Sequence, residues 1–118
     1  MAKLSRIAPE IPVFDLRDSI AYYQEALGFQ VVMEMPNRDY AIVQRDGIAI
    51  HLFEDKGRRY SPVGIHIFTD QLDDLHDELQ GRGARLSQAI VRKPWGNRDF
   101  RVNDRSGNEI KFTEPLGS

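Results

Sequence analysis

The sequence contains no cysteine, which excludes disulfide bonds, thiolate zinc sites, iron–sulfur clusters and cysteine nucleophiles. It also lacks an excess of one charge, because 16 basic residues stand against 18 acidic residues. This balance removes the electrostatic reason to expect nucleic acid or an anionic membrane as a partner. No apolar run approaches the length of about 20 residues that spans a bilayer, and no apolar segment typical of a secretory signal follows the first residues. These absences predict a cytoplasmic protein.

The remaining composition is typical of one folded domain. The chain has 118 residues, of which 41% are hydrophobic and 29% are charged. A chain of this length buries about two-thirds of its unfolded surface on folding, so we predict one domain over residues 1–118. The sequence has no G-x-S-x-G, Walker or dinucleotide-binding motif.

The first half of the chain predicts a strand, a helix and three further strands. Asp15 is placed to cap the helix, and Asp18 adds negative charge near the positive helix end. Gly28 is placed to end that helix in a left-handed conformation, and Asp46-Gly47 is a strong hairpin signal. The predicted strands cover residues 7–14, 29–35, 40–45 and 48–53.

The same pattern returns after a polar stretch over residues 54–62. Asp70 and Asp73 repeat the acidic helix start, and the predicted strands cover 63–69, 85–91, 100–103 and 110–113. Asp39 to Ile42 matches Asp99 to Val102, and Ile50 to Glu54 matches Ile110 to Glu114, each at a separation of 60 residues. We therefore predict an α+β fold of two tandem βαβββ modules, about 6–54 and 63–114, which form a curved mixed sheet around a cleft.

Strand alternation separates a face under the helices from a face that is open to the cleft. The open face receives Glu10, His51, Phe53, His66, Phe68 and Lys111. The carboxylate of Glu10 on an apolar strand is costly unless it is solvated or paired. Taken alone, His51 or His66 at such a position is more often an ordinary half-buried side chain than a ligand. Trp95 lies in a predicted loop, as a hydrophobic plug or as a flat face at the pocket mouth. His76 is predicted to be solvated on the polar face of the second helix.

Four segments carry a family resemblance: Ile20-Ala21-Tyr22-Tyr23 through Ala26-Leu27-Gly28-Phe29, Gln71-Leu72-Asp73-Asp74-Leu75, Pro94-Trp95-Gly96-Asn97-Arg98-Asp99-Phe100, and Asp104 through Phe112. Together they resemble the vicinal oxygen chelate superfamily, also called the glyoxalase/bleomycin resistance/dioxygenase fold. Within it, the chain looks most like the bleomycin resistance proteins.

The resemblance also locates the four positions that hold a divalent metal in the superfamily's enzymes. They fall at Ala8, His51, Gly64 and Lys111, so that three of the four lack a metal ligand. A slip of two residues in the alignment would instead bring Glu10 and His66 into those places. Without such a slip, the resemblance implies a binding protein with no metal and no cofactor, rather than an enzyme.

The resistance proteins further imply a homodimer that exchanges its N-terminal strand at a proline hinge, which matches Pro9. Each of two crevices at the dimer interface takes up a flat, cationic antibiotic. The ligand-binding residues implied here are Glu10, His51, Phe53, His66, Phe68, Trp95 and Lys111. Phe68 matches the stacking aromatic, and Glu10 is a reasonable counter-charge for a cation.

Two functions from different classes stay open at this point. The first is a metal-free protein that sequesters a bleomycin-type antibiotic or another flat metabolite. The alternative is a divalent-metal-dependent lyase, dioxygenase or thiol transferase that uses His51, His66 and Glu10. Lys111 favours the binding protein, because an ammonium group at a ligand position repels a divalent cation.

Overall fold

The structure is a computed structural model that describes residues 1–35, 39–57 and 59–115, and in it the chain forms two βαβββ modules. The first module consists of β1 (Glu10–Val13), α1 (Leu16–Glu25), β2 (Gln30–Met35), β3 (Tyr40–Arg45) and β4 (Ile48–Glu54). The second consists of β5 (Gly64–Phe68), α2 (Leu72–Gly81), β6 (Arg85–Arg92), β7 (Arg98–Asn103) and β8 (Glu109–Glu114). The predicted α+β class and the tandem order of elements are confirmed.

Each module contributes one four-stranded mixed sheet. The strand orders are β1-β4-β3-β2 and β5-β8-β7-β6, so the two sheets have equivalent topologies. In each sheet the first strand runs parallel to the last strand of its module, and the other pairs are antiparallel. The predicted mixed pairing is therefore found, divided between two sheets. β1 and β5 are both edge strands.

The start of α1 follows from local and long-range capping. The side chain of Asp15 accepts a hydrogen bond of 3.0 Å from the backbone N–H of Asp18, as predicted. Glu54 reaches the same helix end and accepts a hydrogen bond of 2.8 Å from the backbone N–H of Leu16. Gly28 has a φ of 76°, the left-handed conformation expected after the helix.

The predicted start of α2 is displaced. Gln71, and not Asp70, precedes the first helical residue, and its side chain makes no capping hydrogen bond. The position of the cap therefore depends on the chain path after β5 and not on the residue with the best capping side chain.

The core lies between each helix and its own sheet. Ile11, Val13, Ile50 and Leu52 are at most 1% exposed, as the predicted alternation of faces requires. The first strand is shorter than predicted and begins at Glu10, because residues 1–8 are exposed and outside the sheet.

Contacts between the modules include those of α1 with the β7–β8 turn. The Tyr23 hydroxyl donates to Oδ2 of Asp104 over 2.9 Å, and both residues are buried. The Tyr22 hydroxyl donates to the carbonyl oxygen of Asn103 over 2.8 Å. These bonds hold the helix of the first module against the second sheet.

The two modules match with one displacement that the sequence comparison does not contain. Ile42 pairs with His51 in the first module, whereas Arg101 pairs with Lys111 in the second. The structural equivalent of Ile42 is therefore Arg101, so the predicted match of Ile42 with Val102 is wrong by one residue. The longer β7–β8 turn accommodates the extra residue.

Candidate functional site

The open face of the first sheet carries a hydrogen-bonded network of three side chains from three strands. Glu10 on β1 is level with His51 on β4. The hydroxyl of Tyr40 on β3 lies 2.7 Å from Oε2 of Glu10 and 2.7 Å from Nδ1 of His51. Glu10 is exposed, so its carboxylate is solvated as well as paired with Tyr40, and its place on an apolar strand carries little cost. Phe53 lies two residues beyond His51, on the same face and opposite Tyr40.

Tyr40 remains a proton donor across the physiological pH range. Burial, the hydrogen bond to Glu10 and the charge of Glu10 together raise the pKa of Tyr40 to about 12. Its ring meets the imidazole of His51 edge-on, with centroids 5.7 Å apart.

The open face of the second sheet carries the other predicted strand residues. His66 and Phe68 on β5 are exposed, and their rings stack at an interplanar angle of 18° with centroids 6.1 Å apart. Nδ1 of His66 lies 3.2 Å from Oγ1 of Thr113. Lys111 on β8 is level with His66 and half-buried.

The side chains at the four positions that the sequence resemblance assigns to a metal do not together fit a divalent cation. Ala8 and Gly64 have no donor atom. Nζ of Lys111 lies 3.8 Å from the point that a β-carbon at residue 64 would occupy, and 3.8 Å from Oε1 of Glu109. An ammonium group thus lies in van der Waals contact with the point where a side chain at residue 64 would begin, and it repels a metal ion.

The alternative ligand set does not assemble either. Glu10 and His51 share the Tyr40 hydroxyl on the first sheet, whereas His66 contacts Thr113 on the second. Across residues 1–35, 39–57 and 59–115, no group of three His, Asp or Glu side chains could hold a metal ion. The sequence leaves this set open as an alternative, and the geometry does not support it.

Phe68 lies between two cavities that share part of their walls. The first has a volume of about 470 Å³ and is lined by residues 6–9, 47–50 and 65–68, most of them apolar. The second has a volume of about 580 Å³ and extends from Phe68 towards the start of α2. Ile48, Ile67 and Phe68 line both cavities.

The second cavity has an acidic side. Asp70 and Asp74 line it, and within the described ranges neither carboxylate makes an ion pair or a hydrogen bond through its side chain. Glu78 also lines it, but both of its oxygens are bound by Arg45 and Arg82, each over 2.7 Å. The unpaired carboxylates of Asp70 and Asp74 therefore provide negative charge beside an exposed aromatic ring.

Most of the predicted ligand-binding residues lie outside these cavities. Only His66 and Phe68 line either of them, whereas the other five predicted residues do not: Glu10, His51, Phe53, Trp95 and Lys111. Trp95 is 66% exposed in the β6–β7 turn, which is closed by a hydrogen bond from the Lys93 N–H to the Asn97 carbonyl. In the part of the chain that is described, no ring contact joins Trp95 to another aromatic side chain.

His76 is not solvated as predicted. Its ring meets that of Phe100 edge-on with centroids 5.2 Å apart, and its side chain is only 17% exposed. The reason is helical spacing, because His76 follows Leu72 by four residues and precedes Leu79 by three, on the face turned to the sheet.

Three residues at these sites are absent from the predicted set: Tyr40, Asp70 and Asp74. A signal for Tyr40 exists in the sequence. The two-residue turn at Asp46-Gly47 defines the pairing of β3 with β4, and this pairing puts Tyr40 diagonally beside His51 on the open face. Asp70 follows Phe68 by two residues, so the sequence places it nearby, whereas Asp74 has no such signal because its approach to Phe68 depends on how α2 packs.

This chain forms a paired-module α+β domain, in which the open faces of two tandem βαβββ modules carry aromatic and charged side chains. A model of the Glyoxalase/Bleomycin resistance protein/Dioxygenase superfamily matches residues 3–112, and the chain belongs to this superfamily. The bleomycin resistance protein of Geobacillus stearothermophilus is 28% identical, over 93% of this chain and 96% of that protein. The resemblance stated from the sequence is thereby confirmed.

Solved structures agree on the fold. A bleomycin-binding protein complexed with bleomycin superposes with a TM-score of 0.83 at 20% identity, covering 95% of this chain and 99% of that one. Lactoylglutathione lyase from Agrobacterium tumefaciens superposes with a TM-score of 0.77 at 16% identity, covering 96% of each chain. Neither α1 nor α2, the helices of the described residues, is long and apolar enough to cross a membrane.

Proposed function

We propose that this protein is a metal-free binding protein that sequesters a flat, cationic antibiotic of the bleomycin type. Sequestration lowers the free drug concentration by mass action, so it requires affinity and abundance but no catalytic group. The ligand class is supported by the relatives named bleomycin resistance protein and by the structural neighbour complexed with bleomycin. The balanced charge of the chain leads us to expect no nucleic acid or membrane partner, and we propose the cytoplasmic location expected from the sequence.

The observation that carries this proposal is the exposure of Phe68. Its side chain is 63% exposed on a strand, is stacked against His66, and lies between the two cavities. A flat aromatic face at the edge of an apolar cavity supports stacking of a heteroaromatic ring. The carboxylates of Asp70 and Asp74 would then attract the cationic part of the same ligand.

We propose further that the functional unit is a homodimer. The predicted site residues are divided between the open faces of two sheets, with Glu10 and His51 on one and His66 on the other. Residues 1–8, before the proposed hinge at Pro9, are exposed. Exchange of this segment would cover its apolar side chains and complete each crevice with residues of a second copy.

The alternative, a divalent-metal-dependent enzyme of the same superfamily, has weaker support. The ammonium group of Lys111 beside Gly64 opposes a metal ion at the corresponding positions. Saturable binding of Zn²⁺ or Mn²⁺ that depends on His51 would favour the enzyme over the binding protein.

The first experiment is a calorimetric titration of chelator-treated protein with metal-free bleomycin. We expect saturable binding of one drug per subunit, and a dimer in sedimentation velocity of the same sample. The variant Phe68→Ala should bind about tenfold more weakly, since it loses a stacking interaction of about 0.5–1.5 kcal/mol together with the apolar area of the ring. Because Phe68 is largely exposed, the free energy of unfolding of the variant should differ from that of the unmodified protein by less than about 1 kcal/mol.

The matched control is Val91→Ala, which removes another exposed apolar side chain from β6, outside both cavities. It should bind the drug like the unmodified protein. Unchanged affinity in Phe68→Ala would reject the proposed pocket, and absence of any binding to the unmodified protein would reject the proposed ligand.

A further inference from the structure

The hydrogen bonds of the network formed by Glu10, Tyr40 and His51 determine which nitrogen of His51 carries a proton. The phenol of Tyr40 has one proton and two neighbours at 2.7 Å, Oε2 of Glu10 and Nδ1 of His51. An ionised carboxylate only accepts hydrogen bonds. The phenol must therefore donate to Glu10, and the hydrogen bond to His51 requires a proton on Nδ1.

This arrangement determines which nitrogen of His51 is left for other partners. The hydrogen bond of one ring nitrogen sets the protonation of the other. A neutral imidazole that is protonated at Nδ1 has a bare lone pair at Nε2, which accepts a hydrogen bond and cannot donate one.

Nε2 of His51 is available to accept a hydrogen bond from a ligand. Within residues 1–35, 39–57 and 59–115 it has no hydrogen-bond partner. In those ranges, the side-chain atoms that are both buried and without a partner are Oγ of Ser19, Oδ1 of Asn97 and Nε of Arg101. Nε2 of the half-buried His51 has no partner in the same ranges and is not among these atoms, so it keeps contact with solvent. Phe53 lies two residues further along β4 on the same face and provides a flat apolar neighbour.

We propose that Glu10 and Tyr40 are positioning residues that hold His51 in the Nδ1–H tautomer, so that the open face of the first sheet selects planar ligands that offer an N–H donor. The site discriminates against carboxylates and other ligands that only accept, because they would place a lone pair against Nε2. This inference deepens the proposed binding function and rests on it for the identity of the natural ligand, whereas the tautomer is a property of the protein alone.

The tautomer is tested by two-bond ¹H–¹⁵N correlation spectra of the imidazole rings, recorded at about pH 8, where an ordinary histidine is neutral. The His51 signals are assigned by their loss in His51→Gln. We expect Nδ1 to be the protonated nitrogen and Nε2 the bare one. In Tyr40→Phe the acceptor is gone, and we expect the proton to move to Nε2.

Tyr60→Phe is the matched control, because it removes a phenol that donates to the carbonyl oxygen of Ser106 and not to a histidine. It should leave the His51 pattern unchanged. A wild-type spectrum with the proton on Nε2, or a Tyr40→Phe spectrum that is identical to the wild type, would overturn the assignment of the positioning role.

Ligand selection is tested with two neutral planar probes of the same shape, indole as an N–H donor and benzofuran as its isostere without a donor. At millimolar concentration, indole should shift Nε2 of His51 in a saturable way, and benzofuran should not. Tyr40→Phe should weaken the indole response about tenfold, the equivalent of one hydrogen bond. An equal response to benzofuran, or no response to indole, would contradict the selection.

The two proposals fail separately. An indole response without any binding of metal-free bleomycin would reject the proposed antibiotic and leave the donor-selective site. Binding of bleomycin to Phe68 without a change at His51 would leave the antibiotic and reject the donor-selective site.

Discussion

Tyr23 shows how one hydroxyl group can join two modules. Its ring is fully buried in α1, and its hydroxyl donates to Oδ2 of Asp104 in the β7–β8 turn of the other module. Burial and the neighbouring Asp104 raise the pKa of Tyr23 well above its ordinary value, so the phenol stays protonated. Asp104 also accepts hydrogen bonds from the backbone N–H groups of Ser106 and Asn108, which order the turn.

Replacement of Tyr23 by Phe is expected to lower the free energy of unfolding by about 2 kcal/mol, because a buried carboxylate loses a hydrogen bond. Urea denaturation measures the change. Tyr60→Phe is the comparison, since its hydroxyl makes a longer, partly exposed bond of 3.2 Å. It should cost less than about 1 kcal/mol. Equal losses in the two variants would mean that the Tyr23–Asp104 bond contributes nothing special.

For single residues, the sequence predicts which side chains occupy the open faces better than it predicts which side chains they contact. The alternation of strands puts Glu10 and His51 on the same face. Their connection through Tyr40 requires a third strand, and therefore the pairing of β3 with β4. His76 shows the opposite error, because its acidic neighbours in the sequence hide its place on the apolar side of α2.

The two helices differ in how their first turns are capped. Asp15 caps α1 with its own side chain, and Glu54 on β4 accepts a hydrogen bond from the N–H group of Leu16. Gln71 precedes α2 without a capping side-chain hydrogen bond. The sequence contains acidic residues at both helix starts, but only the first start has one at the capping position.

Asp15→Ala is therefore expected to lower the free energy of unfolding by about 1 kcal/mol, the usual effect of removing a helix cap. Gln71→Ala at the equivalent position of α2 should change it by less than about 0.5 kcal/mol. Urea denaturation of both variants checks the difference. A loss in Gln71→Ala as large as that in Asp15→Ala would show that side-chain capping is not the cause.

The turns between the paired strands were predicted to different degrees. Asp46 and Gly47 have φ values of 50° and 81°, the two positive values that a two-residue hairpin turn requires. In the matching turn of the second module, the N–H of Asp104 donates to the carbonyl oxygen of Asn108, and three residues lie inside this pair. Local hydrogen bonds to the Asp104 side chain order this turn too, and Tyr23 of α1 adds a bond from the other module.

The whole molecule is also held by an ion pair between the modules. Nη2 of Arg45 on β3 lies 2.7 Å from Oε1 of Glu78 on α2, and Nη1 of Arg45 donates to the carbonyl oxygen of Leu27 after α1. The hydrogen bond from Arg45 lowers the pKa of Glu78 below its ordinary value of 4.5. Because Glu78 is 35% exposed, solvent screening limits its contribution to about 1 kcal/mol.

Glu78→Gln is expected to remove this contribution in a pH-dependent way. The folded protein holds Glu78 ionised at a lower pH than the unfolded chain does, so the stabilisation is present above about pH 4.5 and is lost as the pH falls through the lowered pKa. Urea denaturation should show a difference of about 1 kcal/mol near pH 7 that disappears in acid. Glu25→Gln, an exposed position on α1, should show no such difference at any pH. A difference for Glu78→Gln that persisted at low pH would contradict the ionic origin.

By itself the sequence determines the order of the elements, the cap at Asp15, the hairpin turn at Asp46-Gly47 and the buried faces of the strands. These features depend on neighbouring residues, on backbone conformation and on a period of two, all of which can be read along the chain. Tertiary structure alone decides that Tyr40 joins Glu10 to His51, that Asp74 approaches Phe68, and that Lys111 contacts Gly64. The physical reason is that these contacts join residues from different elements, whose distances depend on the pairing of strands and the packing of helices.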